Sequence, residues 1–167
     1  MATIRFRWSN RGYIAIGVVT VAIAAAFGFK GERFEGVVVR VIDGDTIAFK
    51  GDPREVVVRI FGIDAPEMDQ TWGMGAKMAM GTLCMGETVH VEVVDVDRYT
   101  RRVARVTLPN GRDLGEELVM LGAAWWSREY APRYEQLHQL ELGARETKVG
   151  LWNHPPCIDP ADWRRRR

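Results

Sequence analysis

Residues 42–67 read IDGDTIAFKGDPREVVVRIFGIDAPE, and two short apolar segments lie within them, Ile47–Phe49 and Val56–Val58. A cluster of turn-forming residues, KGDP at positions 50–53, separates the two segments. Two β-prone segments joined by such a cluster predict a pair of strands that returns the chain on itself. We therefore expect the two ends of this stretch to lie close together.

The predicted strand pair brings acidic side chains from both ends of the stretch toward one place. They are Asp43, Asp45, Asp64 and Glu67, and Arg59 lies on the returning strand. Carboxylates that share a pocket repel each other unless they are protonated or a cation lies among them. Because the group contains no histidine or cysteine, an all-oxygen site for a hard cation such as calcium is favoured. The alternative is an ordinary set of turn residues, since Asp and Gly are common in turns.

The motifs along the chain resemble those of the thermonuclease, or staphylococcal nuclease-like, family. Members carry an Asp-Gly-Asp-Thr turn, an arginine on a strand and then Asp-x-Pro-Glu, and residues 42–67 contain all three. A further family motif, Asp-basic-Tyr-Gly-Arg, corresponds to DRYTR at 97–101, and a closing Gly-Leu-Trp corresponds to 150–152. The Pro and Trp-Arg that follow in the family correspond to Pro160 and to WR at 163–164. These motifs occur in the family's order, which makes the resemblance specific.

The pattern of strands and helices agrees with the fold that this resemblance implies. Three strand patterns, a helical pattern and two more strands follow one another at residues 35–42, 47–49, 56–60, 75–85, 87–94 and 102–108. Five strands with a helix between the third and fourth fit the OB-fold, a small Greek-key barrel. We expect an α+β protein with a five-stranded OB-fold β-barrel and about three α-helices, like staphylococcal nuclease.

The first two helical segments also predict which side chains contact the core. The expected core residues are Met74, Met78 and Met85 in the first helix and Leu114, Leu118 and Leu121 in the second. A soft-metal site is the alternative for the methionines, but their ability to fill irregular gaps favours core packing. Asp113 is expected to cap the second helix, because Glu116 follows it by three residues.

The first 30 residues differ in composition from the rest of the chain. Residues 12–29 are uncharged and mostly apolar, three arginines precede them, and no acidic residue occurs before residue 31. This pattern is typical of a secretory signal or a short membrane anchor, and a buried helix of the domain is the alternative. The arginines are expected to stay in the cytoplasm. The domain is therefore expected to be exported, to the periplasm or the cell exterior.

Three regions are expected: this leader at 1–30, an OB-fold domain at 31–163 and a basic tail at 164–167. The chain has a formal net charge of +1, but its 22 acidic residues all follow residue 30. Within 31–163, 15 basic residues stand against those 22 acidic ones, a net charge of −7. Binding to nucleic acid would therefore depend on local arginines and a bound cation, because the bulk charge opposes it. The tail is expected to be solvated, with contact to phosphate as the alternative.

Cys84 and Cys157 are the only two cysteines of the chain. Export would place them in an oxidising compartment, where disulfides form and persist. A disulfide between the two is one outcome, and two unrelated thiols, with Cys84 buried in a helix, are the other.

The resemblance implies a role for each residue of the acidic cluster. Asp45 and Asp64 correspond to calcium-binding carboxylates in the family. Ala65 corresponds to a position that binds calcium through its backbone carbonyl, so the identity of its side chain is not critical. Glu67 corresponds to the general base that takes a proton from the attacking water.

The resemblance also implies residues that bind phosphate. Arg59 and Arg101 correspond to two arginines that grip the scissile phosphate, for which the planar and permanently charged guanidinium is well suited. Tyr99 and Arg98 correspond to groups that hold a terminal phosphate of the substrate. Thr100 departs from the family, because it stands where glycine is usual. If the backbone has a positive φ there, threonine is strained and Arg101 is displaced.

Together these correspondences imply a calcium-dependent endonuclease that hydrolyses DNA and RNA with little sequence preference and leaves 3′-phosphates. The rival interpretation is a non-catalytic nucleic-acid-binding OB-fold module of the same family, in which the arginines or the glutamate are usually lost. A membrane-tethered protein-interaction domain is a third interpretation, which only the leader supports. A monomer is expected, held at the membrane if the leader is not cleaved.

Overall fold

Alternating β-branched residues build a closed barrel in the computed structural model, which describes residues 31–50 and 54–166. The strands in chain order are β1 (Arg33–Val41), β2 (Thr46–Phe49), β3 (Val56–Ile60), β4 (Ile63–Asp64), β5 (Thr88–Val96), β6 (Arg102–Thr107) and β7 (Trp125–Trp126). The α-helices are α1 (Gly73–Cys84), α2 (Leu114–Met120), α3 (Glu135–Glu146) and α4 (Pro160–Arg165), and a 3₁₀ turn covers Gly150–Asn153.

The barrel has the strand order β1-β2-β3-β6-β5, and β5 pairs back with β1 to close it. β3 and β6 run parallel, whereas the other neighbouring strands of the barrel are antiparallel. A short second sheet pairs β4 with β7. The predicted α+β architecture, a five-stranded OB-fold barrel, is confirmed, with four α-helices in the described residues where about three were expected.

The strand pair predicted within the opening stretch is present as β2 and β3. Thr46 lies opposite Arg59, and Ile47 lies opposite Val58. Successive residues of a strand point to opposite faces. Val58 and Ile60 are buried inside the barrel, so Arg59 between them points outward. The pairing therefore places the turn before β2 beside the residues that follow β3.

The barrel interior is filled by aliphatic and aromatic side chains. In β5, Val89, Val91 and Val93 are buried and the residues between them are not, as the alternation predicted. Phe49 of β2 is also fully buried, and an added Cβ at Gly36 of β1 would lie 2.8 Å from its ring. A core packed this closely holds the strand ends in fixed positions.

The predicted core face of α1 is wrong. Met74, Met78 and Met85 are 57%, 66% and 53% exposed. The hydrophobic side chains that α1 buries are instead those of Ala76, Met80 and Cys84. The reason is the close approach of α1 to the turn before β2, where an added Cβ at Gly44 would lie 2.7 Å from the Ala76 Cβ. Only a small side chain fits there, so the helix turns an alanine, not a methionine, toward the turn.

The predictions for α2 are confirmed in part. Leu114 and Leu118 are fully buried, and the Asp113 side chain caps the helix by accepting a hydrogen bond from the Glu116 amide at 3.1 Å. Leu121 is 45% exposed, contrary to the prediction. It lies at the C-cap, beyond the last helical residue, so it does not continue the apolar stripe.

The leader predicted at residues 1–30 lies outside the described residues. Within the described ranges, no helix has both the length and the apolar character needed to cross a membrane.

Cys84 and Cys157 are separate thiols, which is the second of the two outcomes considered for them. The Cys84 thiol donates to the Met80 carbonyl at 3.1 Å, and the Cys157 thiol donates to the Leu151 carbonyl at 3.2 Å. Cys84 is buried in α1, and this burial raises the pKa of its thiol to about 12.

Candidate active site

The acidic residues at the two ends of the opening stretch meet around Arg59. Asp45 immediately precedes β2, Arg59 lies on β3, and Asp64 ends β4. Arg59 Nη1 donates to Asp45 Oδ1 at 2.5 Å, and Arg59 Nη2 donates to Asp64 Oδ1 at 2.8 Å. One guanidinium therefore joins the two carboxylates that the sequence predicted as calcium ligands.

Asp45 is almost completely buried, with 3% of the residue exposed. Burial is the main reason that its pKa is raised to about 6, and the Asp43 and Asp64 carboxylates act in the same direction. Arg59 opposes the rise without cancelling it. The negative charge of Asp45 is thus only partly compensated by the protein, which is the condition in which a carboxylate gains from a bound cation.

The turn before β2 holds the Asp45 carboxylate in a defined orientation. The Thr46 hydroxyl donates to Asp45 Oδ1 at 2.9 Å, and the Ala65 backbone amide donates to Oδ2 at 3.0 Å. Gly44 makes this contact possible, because an added Cβ there would lie only 2.6 Å from the Ala65 Cβ. Ala65 therefore contributes to the site through its backbone, and its own side chain has to be small.

A second arginine, Arg164 of α4, joins Asp64 to Glu67. Arg164 Nη2 donates to Asp64 Oδ2 at 2.6 Å, and Nη1 donates to Glu67 Oε1 at 2.7 Å and to Asp64 Oδ1 at 3.2 Å. The Glu67 backbone amide donates to Gln70 Oε1 at 3.1 Å, and the Gln70 side chain donates to the Ile158 carbonyl. The loop that carries Glu67 is thus bonded to the segment that carries α4.

The DRYTR motif forms a compact turn between β5 and β6. Asp97 Oδ1 accepts hydrogen bonds from the backbone amides of Tyr99 and Arg101, both at 2.9 Å, and Oδ2 accepts one from Arg101 Nε at 2.7 Å. Partial burial acts to raise the pKa of Asp97, but these hydrogen bonds outweigh it and lower the pKa below its usual value. The guanidinium carbons of Arg98 and Arg101 lie 4.9 and 5.5 Å from the Tyr99 ring centroid. The turn therefore presents two cations around one aromatic ring.

Thr100 has a φ of 63°, the conformation that the family's glycine would adopt without strain. Arg101 is nevertheless held, because Asp97 bonds to both its backbone and its side chain. In the parallel pairing of β3 and β6, Arg59 lies opposite Val103. Because β6 begins at Arg102, Arg101 is the last residue of the turn and directly precedes the strand that pairs with β3.

Five of the eight predicted site residues come together at one place, and three lie in the neighbouring turn. The first group is Asp45, Arg59, Asp64, Ala65 and Glu67; the second is Arg98, Tyr99 and Arg101. Among the described residues, Arg101 pairs with Asp97 and not with the acidic cluster. The roles assigned to these residues stay predictions, whereas their grouping is a property of the structure.

Sequence reasoning missed the contribution of Arg164, which it assigned to a basic tail. The structure includes this residue in α4 and places its guanidinium against Asp64 and Glu67. The available signal was the Trp-Arg motif, which matches the family at a fixed position beyond Gly-Leu-Trp. A pattern 97 residues from Glu67 in the chain does not itself reveal this contact.

The donor atoms of the cluster fit a hard cation such as calcium. They are carboxylate oxygens, without thiol or imidazole, and the raised pKa of Asp45 indicates negative charge that is only partly compensated. Among the residues that the structure describes, no three acidic, histidine or cysteine side chains form a ready metal cluster. Arg59 and Arg164 already bond to the carboxylate oxygens. Asp45, Asp64 and Ala65 would hold the ion, and Arg59 would release some of these hydrogen bonds.

A cavity of about 480 Å³ lies beside Asp64 and Arg164. β7 contributes Trp126 to its wall, and the segment that follows contributes Arg128 and Tyr130. The Arg128 guanidinium lies 5.2 Å from the Trp126 ring centroid, and Tyr130 is 70% exposed. Asp64 is therefore the carboxylate of the acidic cluster that lines this depression, and its wall combines aromatic, arginine and further acidic side chains.

Comparison with known protein families gives a match over more than half of the chain. The family described as staphylococcal nuclease homologue matches residues 57–154, which run from β3 to the end of the 3₁₀ turn. The chain belongs to the staphylococcal nuclease homologue family. The family predicted from the sequence motifs is thereby confirmed.

Relatives of this staphylococcal nuclease homologue match most of its length. A protein named uncharacterized endonuclease from Escherichia coli O157:H7 is 38% identical over 132 residues, which are 79% of this chain and 86% of that protein. The protein ParB of Escherichia coli is 35% identical over 164 residues, 93% of this chain and 90% of that protein. A micrococcal nuclease of Shigella flexneri is 34% identical over 164 residues, 93% of this chain and 91% of that protein.

Proposed function

We propose that the chain is a nuclease, and specifically a calcium-dependent endonuclease that hydrolyses phosphodiester bonds of DNA and RNA. The observation that carries the proposal is the meeting of Asp45, Asp64 and Glu67 around Arg59 and Arg164 in a staphylococcal nuclease homologue. The relatives named endonuclease and micrococcal nuclease support the general activity. The partly compensated charge of the buried Asp45 carboxylate supports the requirement for calcium.

Glu67 acts as the general base in this proposal. Its side chain is 34% exposed, compared with 11% for Asp64 and 5% for Asp45, so water reaches it more easily. Arg164 bonds to Oε1, and Oε2 has no hydrogen bond among the described residues. Oε2 is therefore the atom that accepts a proton from the attacking water.

Arg59 and Arg101 bind the scissile phosphate in this proposal. Their side chains are 21% and 30% exposed; Arg59 lies on β3, and Arg101 directly precedes β6, which pairs with β3. Negative charge develops on the phosphate oxygens during hydrolysis, and guanidinium groups held in advance stabilise it. Bound calcium would supply further positive charge to the phosphate, with Asp45, Asp64 and Ala65 as its holders.

The proposed contacts are to phosphate and not to base edges, which supports little sequence preference. The net charge of −7 over residues 31–163 means that affinity comes from local groups. Arg98 and Tyr99 form such a group, and we assign a terminal phosphate of the substrate to it. Products with 3′-phosphates are part of the proposal by resemblance to the family.

The proposal is tested by plasmid nicking with the purified chain in calcium and in chelator. Wild type is expected to nick only with calcium, and Glu67→Gln is expected to lose ~100- to 10,000-fold in rate because Gln cannot accept the proton. Binding to a labelled oligonucleotide should persist in Glu67→Gln. Glu92→Gln, an exposed carboxylate on β5 paired with Arg33, is the matched control and should cleave normally.

Two outcomes would contradict the proposal. A wild-type chain that binds single strands in calcium but never cuts them supports the non-catalytic binding module. A melting temperature that millimolar calcium leaves unchanged removes the ion site, because a ligand that binds the folded state raises its stability.

We also propose that the domain lies outside the cytoplasm, either free or anchored by its leader. Three arginines before the uncharged residues 12–29 support this location. A reporter that is active only in the periplasm, fused to the C-terminus, should give signal. A dark periplasmic fusion together with a bright cytoplasmic one would contradict it.

A further inference from the structure

Arg164 bonds to two acidic residues of the candidate active site, and the proposed reaction assigns it no role. It forms a bidentate pair with Asp64 and extends the same Nη1 to Glu67 Oε1. Such a planar fork fixes the geometry of its partners more closely than a single ion pair does. The Asp64 side chain is only 11% exposed, so the pair is anchored on a carboxylate that itself moves little.

Several contacts of the chain around α4 place Arg164 beside Asp64 and Glu67. Asp159 caps the helix by accepting from the Ala161 amide at 2.8 Å, and Pro160 is buried in the first turn. Trp163 Nε1 lies 3.4 Å from Asp69 Oδ1, on the loop that carries Glu67. Together with the bond from Gln70 to the Ile158 carbonyl, these contacts attach α4 to the loop at several points. The backbone position of Arg164 is therefore set by the fold, and its 43% exposed side chain is held by Asp64 and Glu67.

Glu67 depends on this arginine for its orientation. It lies on a loop, and its long side chain is free to adopt several rotamers. Within the described residues, Arg164 is the one side chain that bonds to its carboxylate. The shared Nη1 keeps Oε1 beside Asp64, while Oε2 remains open to water.

We propose that Arg164 is a positioning residue that holds Glu67 in the orientation needed to activate water. This inference rests on the proposed function, in which Glu67 is the general base. A base displaced by about 1 Å from its proton loses ~100-fold in rate. Arg164 acts through Glu67, so removing it matters only while Glu67 can take a proton.

The alternative is that Arg164 only occupies the place of the cation in the acidic cluster. Its charge would then compete with calcium, and its removal would raise the rate of cleavage. Two observations favour a positioning role over this competition. Glu67 remains one-third exposed with Arg164 in place, and one of its two oxygens stays free among the described residues.

The test is a double-mutant cycle in the full chain. The rate constant and KM for cleavage of a labelled oligonucleotide in calcium are measured for Arg164→Ala, Glu67→Gln and the double variant. Arg164→Ala is expected to lower kcat by ~10- to 100-fold, as losses of supporting residues typically do, with a smaller change in KM. In the Glu67→Gln background the same change should cost less than about twofold, because interacting residues are not additive.

Two further variants keep the test specific. Arg165→Ala removes the next arginine of the same helix, which pairs with Asp162 within α4, and should leave kcat unchanged. Arg164→Lys keeps the charge but loses the fork, and should recover part of the rate. It also carries the test if Arg164→Ala fails to fold.

A readout independent of activity is the melting temperature, measured without calcium, of the wild type, Arg164→Ala, Glu67→Gln and the double variant. The shifts for Arg164→Ala and Glu67→Gln should not add, since the two side chains bond directly. If the wild type cuts and Arg164→Ala cuts equally well or faster, this inference is overturned and the proposed function still stands. Equal losses in both backgrounds also overturn it. A wild type that never cuts overturns the proposed function, and the role of Arg164 with it.

Discussion

The acidic cluster and the DRYTR turn each pair an aspartate with an arginine, and their environments have opposite effects on the pKa of the aspartate. In the acidic cluster, burial raises the pKa of Asp45 to about 6 although Arg59 bonds to it. In the DRYTR turn, partial burial is outweighed by the hydrogen bonds from Arg101 and Tyr99, which lower the pKa of Asp97. The same pair of residue types is therefore incompletely compensated in one place and fully satisfied in the other.

The difference follows from burial and from neighbouring charges, because each carboxylate accepts three hydrogen bonds. Asp45 is buried, shares its guanidinium with Asp64 and is crowded by Asp43. Asp97 is only partly buried and receives its hydrogen bonds within one turn. The partly compensated charge of Asp45 is the basis on which we propose that the acidic cluster binds a cation. The turn is a stable support that presents Arg101. Four predictions, from the largest expected effect to the smallest, test this contrast.

The largest expected effect is common to both places and concerns the rate of cleavage. Arg59→Ala and Arg101→Ala should each lower kcat by ~100- to 1,000-fold, or about 2.7–4 kcal/mol, because each removes a donor that stabilises charge on the phosphate. Arg101→Lys should recover only part of the loss. Single-turnover cleavage in saturating calcium measures the effect. A full rate with either alanine variant would contradict the assignment of that arginine.

The second effect separates the two places through stability. At pH 8 without calcium, Arg59→Ala should lower the free energy of unfolding by about 3 kcal/mol, because it leaves two buried carboxylates without their shared partner. Arg101→Ala breaks a more exposed pair and should cost less than about 1 kcal/mol. Urea denaturation measures both. Equal losses would show that the two environments do not differ as described.

The third effect, the contribution of the ionised aspartate to the free energy of unfolding, has opposite signs for Asp45 and Asp97. The pKa of Asp45 is raised, so its ionised form destabilises the fold above about pH 6 and the cost disappears as the pH falls toward 4. Asp45→Asn should therefore raise the free energy of unfolding by about 1–3 kcal/mol at pH 8, without calcium, and give no gain at pH 4.

Asp97 provides the matched control for this experiment. Its pKa is lowered, so its ionised form stabilises the fold above its unfolded pKa, and this stability is lost as the pH falls through the folded pKa. Asp97→Asn should therefore destabilise the chain at neutral pH and make less difference in acid. Urea midpoints measured across pH 3–8 for both variants provide the comparison, and the same sign for both would contradict it.

The smallest effect concerns the strain in the turn. Thr100→Gly should stabilise the chain by about 1 kcal/mol, because glycine accepts the positive φ that strains threonine, less its own entropic cost. Asp97 holds Arg101 in either case, so the cleavage rate should change less than about threefold. Thermal unfolding and plasmid nicking measure the two quantities. A large gain in rate would mean that the threonine displaces Arg101.

Much of the fold was predictable because its signals are local. The alternation of Val89, Val91 and Val93 predicted a half-buried strand, and the apolar segments around residues 50–53 predicted the β2–β3 hairpin. The core face of α1 was not predictable in the same way. Helical spacing alone did not reveal that Gly44 approaches Ala76 so closely that the methionines are turned to solvent.

The candidate site also has features that local sequence signals predicted and features that depend on long-range packing. The sequence by itself determined the family, the barrel, and the set of carboxylates and arginines that the hairpin brings together, because these depend on short motifs and on the two-residue period of strands. Only the tertiary structure decided that Asp45 is buried with a raised pKa, and that Arg164 reaches Asp64 across 100 residues of chain. Burial and long-range contacts depend on how distant segments pack against each other, and no local pattern in the sequence specifies that packing.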